Sequence, residues 1–394
     1  MSMSEWQKYK LGEVYSFSSG LSKSSDQFGY GFDFLTFKDV FNNYFLPDKL
    51  TALVNSTEKE RQTCSIKRGD VFLTRTSETD DELGMSSVAL KDYPNATFNG
   101  FTKRLRPIGN VEIYPEFVAY YFRSPRFRAN IVGMSSITTR ARLNNSMLAE
   151  LPLLLPNYEE QVRIATILKS LDDKIELLHR ENKTLEAMAE TLFRQWFIEE
   201  AKENGICLGE VVKTTSGGTP SRKKEEYYYN GNIAWVKSKE LQCSYILDTE
   251  EKITEDAVAN SSAKLLPENS ILIAMYGATV GEYGILAKPM TCNQAVCALI
   301  PNENYPYTFL YLWAKSMQED FVNLACGAAQ QNISQELIKQ QYVSTDLKLI
   351  ADFHTLVNPY MKKMKLNQEM IGTLIQMRDG LLPKLMNLEI FING

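Results

Sequence analysis

Histidine is nearly missing from this sequence: of 394 residues only His179 and His354 are histidines. Zinc sites and imidazole acid–base chemistry draw on histidine first, so a histidine-rich metal centre or a hydrolase triad has little to be built from. Cysteine is sparse as well. The six residues Cys64, Cys207, Cys243, Cys292, Cys297 and Cys326 include no C-x-x-C pair, which excludes a disulfide scaffold and leaves reduced, mostly buried thiols. No apolar run approaches the roughly 18 residues that span a bilayer, and the opening residues hold no charged stretch leading into an apolar core. A membrane is therefore not an expected partner, and the cytoplasm is the expected location. A G-x-x-x-x-G-K-[ST] phosphate loop and a G-x-S-x-G elbow are also missing, and the Gly-rich segment Gly277 to Gly284 reads as a strand-turn-strand. Nothing recognisable performs chemistry, and the chain is expected not to be an enzyme.

What is present is a duplication. At roughly 150 residues per domain the chain is long enough for two to three domains, and 44% hydrophobic with 23% charged residues is the balance of a globular protein. Leu11-Gly12-Glu13-Val14 recurs as Leu208-Gly209-Glu210-Val211. The buried-strand pattern Asp70 to Arg75 recurs at Ser270 to Met275, and Thr97-Phe98-Asn99 is echoed by Thr291-Cys292-Asn293. Helical stretches opened by Pro115 and Pro306 follow.

Each half then runs into a long helix pattern. Ile164, Leu168, Leu171, Ile175, Leu178, Asn182, Leu185, Ala189, Leu192 and Trp196 alternate spacings of four and three, a heptad seam. The second copy gives Leu349, Phe353, Leu356, Tyr360, Lys363, Asn367, Met370, Leu374, Met377 and Leu381. Asn182 aligns with Asn367, which predicts two helices packed on each other with the amides fixing register and Leu178, Leu185 and Met370 in the contact. Pro359 predicts a kink or a fresh start, with Asn358 as its cap.

The expected fold is α+β: two duplicated heads joined by two long antiparallel coiled-coil helices with pseudo-twofold symmetry. The boundaries are a first head over 1–157, a long helix over 158–203, a second head over 204–345, a second long helix over 346–385 and a tail over 386–394. About 40 helical residues give roughly 60 Å, the length of a spacer.

The chain carries 43 basic against 48 acidic residues, a net charge of −5, but the charge is unevenly spread. From Thr97 to Arg142 stand Lys103, Arg104, Arg106, Arg123, Arg126, Arg128, Arg140 and Arg142 against Glu112 and Glu116, interleaved with Phe98, Phe101, Phe122 and Phe127. Arginine forks suit phosphates and guanine edges, so this segment is a candidate DNA face. In the second half the candidates are Arg222-Lys223-Lys224, Lys237, Lys239 and the run Gln330-Gln331-Asn332, since Gln and Asn suit adenine.

Several stretches together resemble a known family. Ser216-Gly217-Gly218-Thr219-Pro220-Ser221, Gly277 to Ile285, Asn293-Gln294-Ala295 and Gln330-Gln331-Asn332-Ile333 mark the second head; Leu153-Leu154-Leu155-Pro156 with Glu159-Glu160-Gln161 follows the first, and Arg378 to Leu385 lies near the end. This ordered set is similar to the DNA-specificity subunit, or S subunit (HsdS family), of type I restriction-modification systems. The first copy departs from it, with Ser18-Ser19-Gly20-Leu21-Ser22-Lys23 in place of S-G-G-T-P-S. The resemblance implies target-recognition domains, one per head, reading the two halves of an asymmetric bipartite site on double-stranded DNA, with centres about one helical turn, roughly 34 Å, apart. It also implies two methylation subunits bringing S-adenosylmethionine and restriction subunits, an ATP-dependent translocase and nuclease, bringing ATP and Mg, docked on the outward faces of the long helices; this chain binds no cofactor or metal itself. Residues singled out for DNA contact are Arg75, Thr76, Ser77, Arg140, Arg142, Gly217, Gly218, Thr219, Pro220, Lys237, Gln330, Gln331 and Asn332. A second reading of the same duplication is a coiled-coil scaffold whose two heads bind protein.

Overall fold

The computed structural model describes residues 6–75, 82–135, 143–199, 205–326 and 332–386. They form two compact units, one of residues up to Ile175 with those from Leu374 onward, the other of Glu176–Thr373. Among the described residues no helix is long and apolar enough to cross a membrane.

The strands of the first half are β1 (Gln7–Lys10), β2 (Tyr15–Ser19), β3 (Phe28–Leu35), β4 (Ala52–Val54), β5 (Val71–Thr74), β6 (Ser86–Val88), β7 (Thr97–Phe98), β8 (Thr102–Pro107) and β9 (Pro152–Leu155). Its helices are α1 (Leu11–Val14), α2 (Phe37–Asn42), α3 (Glu58–Thr63), α4 (Pro115–Arg123), α5 (Pro125–Ser135), α6 (Asn145–Glu150) and the long α7 (Tyr158–Arg194). The second half has β10 (Ile206–Cys207), β11 (Lys213–Ser216), β12 (Ile233–Val236), β13 (Tyr245–Ile246), β14 (Lys252–Ile253), β15 (Ile271–Ala274), β16 (Tyr283–Leu286), β17 (Thr291–Cys292), β18 (Val296–Ile300) and β19 (Tyr342–Val343). Its helices are α8 (Leu208–Val211), α9 (Glu255–Ala259), α10 (Tyr307–Ser316), α11 (Gln318–Cys326), α12 (Gln335–Lys339) and the long α13 (Leu347–Met386).

Each half repeats one wiring plan. The first unit holds sheets β2-β8-β5-β6, β4-β3-β7 and β1-β9; the second holds β11-β18-β15-β16-β13, β14-β12-β17 and β10-β19. The middle strand of each three-stranded sheet lies antiparallel to one neighbour and parallel to the other. β15 is apolar throughout and β5 is apolar up to Thr74, because both faces of these inner strands are covered. Val71 and Leu73 enter one cluster and Phe72 another; in the second unit Ile271 and Ile273 divide from Leu272 and Ala274 in the same way. The fold is thus mixed α and β with two like heads.

A helix lies over each large sheet, α4 in the first unit and α10 in the second, and both are buried nearly end to end. Each sends a tyrosine hydroxyl to α7: Tyr120 donates to Asp172 (2.6 Å) and Tyr311 to Glu186 (3.1 Å). Arg378 of α13 also reaches Asp172, at 2.8 Å.

Within each unit residues of the two long helices share a core. In the first, Ile164, Ala165 and Leu168 share a core with Leu382, Leu385 and Met386; in the second, Ala189 and Phe193 share one with Ile350, Phe353, Val357 and Met361. Asn367, 1% exposed, donates to Asn182 Oδ1 and to Glu181 Oε2, each at 2.8 Å. Asn182 donates to the Met364 carbonyl at 3.3 Å. Leu178 is buried and Leu185 half-buried.

Along α13 the buried stripe differs from the expected seam. It runs through Ile350, Phe353, Val357, Met361, Met364, Asn367 and Ile371, while Leu356 and Met370 lie exposed. Met370 is therefore not a helix-pairing residue. Apolar residues stand side by side at Leu356-Val357 and Met370-Ile371, so the sequence offers two stripes, and packing against the second head selects the one that includes its own core. The fresh helix start, one of the two outcomes expected at Pro359, is absent: α13 continues through it, and Asn358 accepts from the Tyr307 hydroxyl (2.7 Å) instead of capping a new helix.

Asn367→Ala strands the Asn182 carboxamide and is expected to cost about 1–3 kcal/mol in urea denaturation. Replacing both asparagines by leucine recovers part of that loss, because no polar group is then left unpaired.

Candidate nucleic-acid interface

Within the arginine-rich segment of the first head, Arg104, Arg106, Arg123 and Arg128 turn inward, while Arg126 is exposed. Arg123 donates to the carbonyls of Ser86 (2.7 Å), Val40 (2.9 Å), Phe41 (2.7 Å) and Asn43 (3.0 Å), and burial lowers its guanidinium to about 10. Arg104 caps the Thr63 and Ser65 carbonyls, Arg128 caps Leu83, and Arg106 forks onto Asp70 at 2.7 and 2.6 Å. Phe98, Phe122 and Phe127 are core residues, and Phe101 alone of the interleaved rings is exposed. These four arginines of the expected DNA face are therefore scaffolding. They satisfy carbonyls chiefly at the ends of α2 and α3 and in loops.

Lys103 and Arg75 differ from that group. Arg75 ends β5 with its main chain held by Phe101 (3.0 Å) and Leu143 (3.2 Å). Lys103 bonds only neutral partners, Ser19 Oγ (2.9 Å) and Asn145 Oδ1 (2.8 Å). Its ammonium is pushed below the usual lysine value by burial and then by the Arg75 charge. Among the described residues no carboxylate pairs with either; Glu78, Asp80 and Asp81, which follow Arg75 in the sequence, lie outside the described residues. Thr76, Ser77, Arg140, Arg142, Gln330 and Gln331 lie outside the described residues.

In the second head the S-G-G-T-P-S loop is mostly packed. A Cβ on Gly217 would lie 2.1 Å from the Cys292 carbonyl oxygen and 2.5 Å from that of Asn293, so only glycine fits. Gly20 meets the matching carbonyls of Phe98 and Asn99 at 2.2 and 2.4 Å. The two loops differ in sequence but share this close approach. The Gly218 carbonyl accepts from Trp235 Nε1 (3.0 Å), the Pro220 carbonyl from the Tyr228 hydroxyl (2.6 Å), and exposed Thr219 bonds Gln294. Gly217, Gly218 and Pro220 thus hold the loop's shape, and Thr219 is the one of the four on the surface. Lys237 is engaged with Glu251, which also binds Arg222 (2.6 Å), and these contacts hold the Glu251 carboxyl below its usual value. Lys239 pairs with Glu250 (2.6 Å), and Asn332 accepts from the Gly277 amide (3.4 Å).

A set of exposed rings is not foreseen by the sequence patterns above. Phe28, Tyr30 and Phe32 stand out along β3, and Tyr229 is 76% exposed ahead of β12. The Arg61 guanidinium lies 3.8 Å from the centre of the Phe32 ring, and that of Arg222 lies 4.4 Å from Tyr228. An F-G-Y-G-F alternation is the available signal, because glycine at every second position gives the other side of the strand nothing to bury.

The family described as type I restriction modification DNA specificity domain matches the chain twice, over residues 3–187 and 203–345. The type I restriction enzyme MjaIX specificity subunit of Methanocaldococcus jannaschii is 27% identical, with 95% of this chain and 90% of that protein covered. The HindI specificity subunit of Haemophilus influenzae is 24% identical, with 98% of this chain and all (100%) of that protein covered. Among solved structures, the type I restriction-modification S subunit from M. genitalium shares the fold over 99% of this chain and 96% of that one, with a TM-score of 0.62 at 16% identity.

Arg123→Ala uncovers four carbonyls at once and is expected to lower stability by about 3 kcal/mol or more in urea unfolding. Arg123→Lys recovers little of it, since one ammonium cannot cover the same fan of acceptors.

Proposed function

Because the chain belongs to the type I restriction modification DNA specificity domain family, we propose that each head reads one half of an asymmetric bipartite site on double-stranded DNA. The chain is a specificity subunit whose part is recognition and not catalysis. The observation that carries the bipartite reading is the repeated wiring: one frame built twice, with unlike residues at its surface. Two different readers on one chain suit two different short sequences separated by an unread spacer. Each long helix supplies residues to both units, which supports a pseudo-twofold coiled-coil pair that sets the spacer.

Recognition divides into positioning and reading. Phosphate contacts fix register without carrying sequence, and groove contacts discriminate bases. Arg75, half-buried just after β5, suits positioning, because its guanidinium can meet a phosphate oxygen in the positive field it shares with the buried Lys103. The overall net charge of −5 is compatible with DNA binding when partner subunits complete the phosphate clamp. Two methylation subunits supplying S-adenosylmethionine, and restriction subunits supplying ATP and Mg, dock on the outward faces of the long helices. An adenine flipped from the stack would be handled by the methylation subunits.

Exchanging residues 205–345 for the second head of a relative, in the assembled methyltransferase, and mapping methylated adenines across a genome tests this reading. One half of the recognised motif should change and the other stay; an unchanged motif, or one altered in both halves, would overturn it. Separately, Arg75→Ala should weaken binding about equally on all sequences and flatten the log–log salt dependence by roughly one, as measured by fluorescence anisotropy titration.

A further inference from the structure

The two three-stranded sheets can be superposed residue by residue. Phe34 and Leu35 pair in parallel with Thr97 and Phe98; Trp235 and Val236 do the same with Thr291 and Cys292. Just beyond the strand, the Thr36 amide donates to Asp39 Oδ2 at 2.9 Å and the Lys237 amide to Glu240 Oε2 at 2.8 Å. Counting back from this shared anchor, Phe28 matches Tyr229 and Gly29 matches Asn230. Both matched backbones turn through the left-handed region, with φ +94° at Gly29 and +55° at Asn230. Both matched rings are exposed, and in both heads an arginine stacks on a ring beside them, Arg61 on Phe32 and Arg222 on Tyr228.

The first head elaborates the same place. Phe28 and Phe32 both oppose Val54, so Gly29-Tyr30-Gly31 stands out of the ladder as a bulge. Gly31, at φ +99°, would bring a Cβ within 2.6 Å of the Val54 carbonyl oxygen, and Tyr30 projects from the tip at 48% exposure. A bulge of this kind re-aims a side chain at a functional edge. The second head has Gly231 at the position of Tyr30, and its exposed ring is Tyr229, the match of Phe28.

An exposed ring recurs at one matched position of the duplicated frame, Phe28 and Tyr229, and in each copy an arginine stacks on a nearby ring, at a position that differs between the copies. In the major groove of a duplex an exposed ring packs against thymine methyl groups, and the Arg61 guanidinium beside Phe32 suits guanine or phosphate. Resting on the DNA-reading function above, we infer that these two aromatic edges are where the heads discriminate their half-sites: Phe28, Tyr30 and Phe32 with Arg61 in the first, and Tyr229 in the second, where Arg222 is held by Glu251 and stacks on Tyr228. The occupant is duplex DNA.

The test uses the full chain assembled with its methylation subunits, selected against a randomised 30-base-pair duplex pool of the kind suited to sites of this span. Tyr30→Ala should lower affinity for the selected sequence by about tenfold and relax base preference in one half of the motif only. Tyr229→Ala should do the same in the other half, and Tyr30→Phe, which keeps the ring, should retain preference. Both side chains are exposed, so thermal unfolding of all three variants should match the parent. Variants that keep full affinity and an unchanged motif would overturn the assignment while leaving the DNA-reading function standing. If the parent complex selects no sequence at all, that function falls and the assignment with it. Loss of assembly in the alanine variants, with DNA preference unchanged once assembled, would mark the edges as protein contacts and likewise overturn it.

Discussion

A buried phenol hydroxyl set against a carboxylate of α7 fastens each head to its helix, Tyr120 on Asp172 and Tyr311 on Glu186. Both phenols are pushed well above the ordinary tyrosine value, first by burial and then by the adjacent carboxylate, so each remains a donor at any physiological pH. The carboxylates are shared. Asp172 also receives Arg378, and Glu186 also receives Lys315 at 3.0 Å. In the first unit head and helix pair therefore meet on a single charge, and moving one partner there disturbs the rest.

The duplicated frame separates what must be kept from what is free to vary. Inside each head, glycine against the T-x-N carbonyls, the two-faced central strand and the capped turn after β3 or β12 recur. Outside, the copies diverge. Cationic side chains follow the same division: Arg104, Arg123 and Arg128 of the first head turn inward to satisfy carbonyls, and those around β12 are neutralised by Glu250 and Glu251. A basic segment can thus spend several of its arginines on the protein's own backbone.

The same division decides which parts are legible in the sequence. The strand at Val71 to Thr74 and its copy at Ile271 to Ala274 are readable because an uninterrupted apolar run has one common meaning. On α7 the heptad pattern coincides with the buried face; on α13 neighbouring apolar residues supply a competing stripe, and only contact with the head decides between them. The basic cluster misleads for a different reason. Composition records that arginine is present but not whether its fork faces water or a carbonyl. Thr219 and Arg75 remain at the surface while Gly217, Gly218 and Lys237 serve the loop's own shape, and the exposed rings of β3 escape notice because alternation normally signals one buried side.

The boundary between units falls inside α7 and again inside α13, so the second unit is one continuous stretch of chain while the first is built from two stretches that flank it in the sequence. Leu382, Leu385 and Met386, which close the interior of the first unit, are encoded beyond the whole of the second. On the ribosome, at roughly 5–20 residues per second, the first globule must wait many seconds for its missing wall while its neighbour condenses. A nonsense codon or protease cut in the last turns of α13 would consequently injure the opposite end of the gene product, the one translated first.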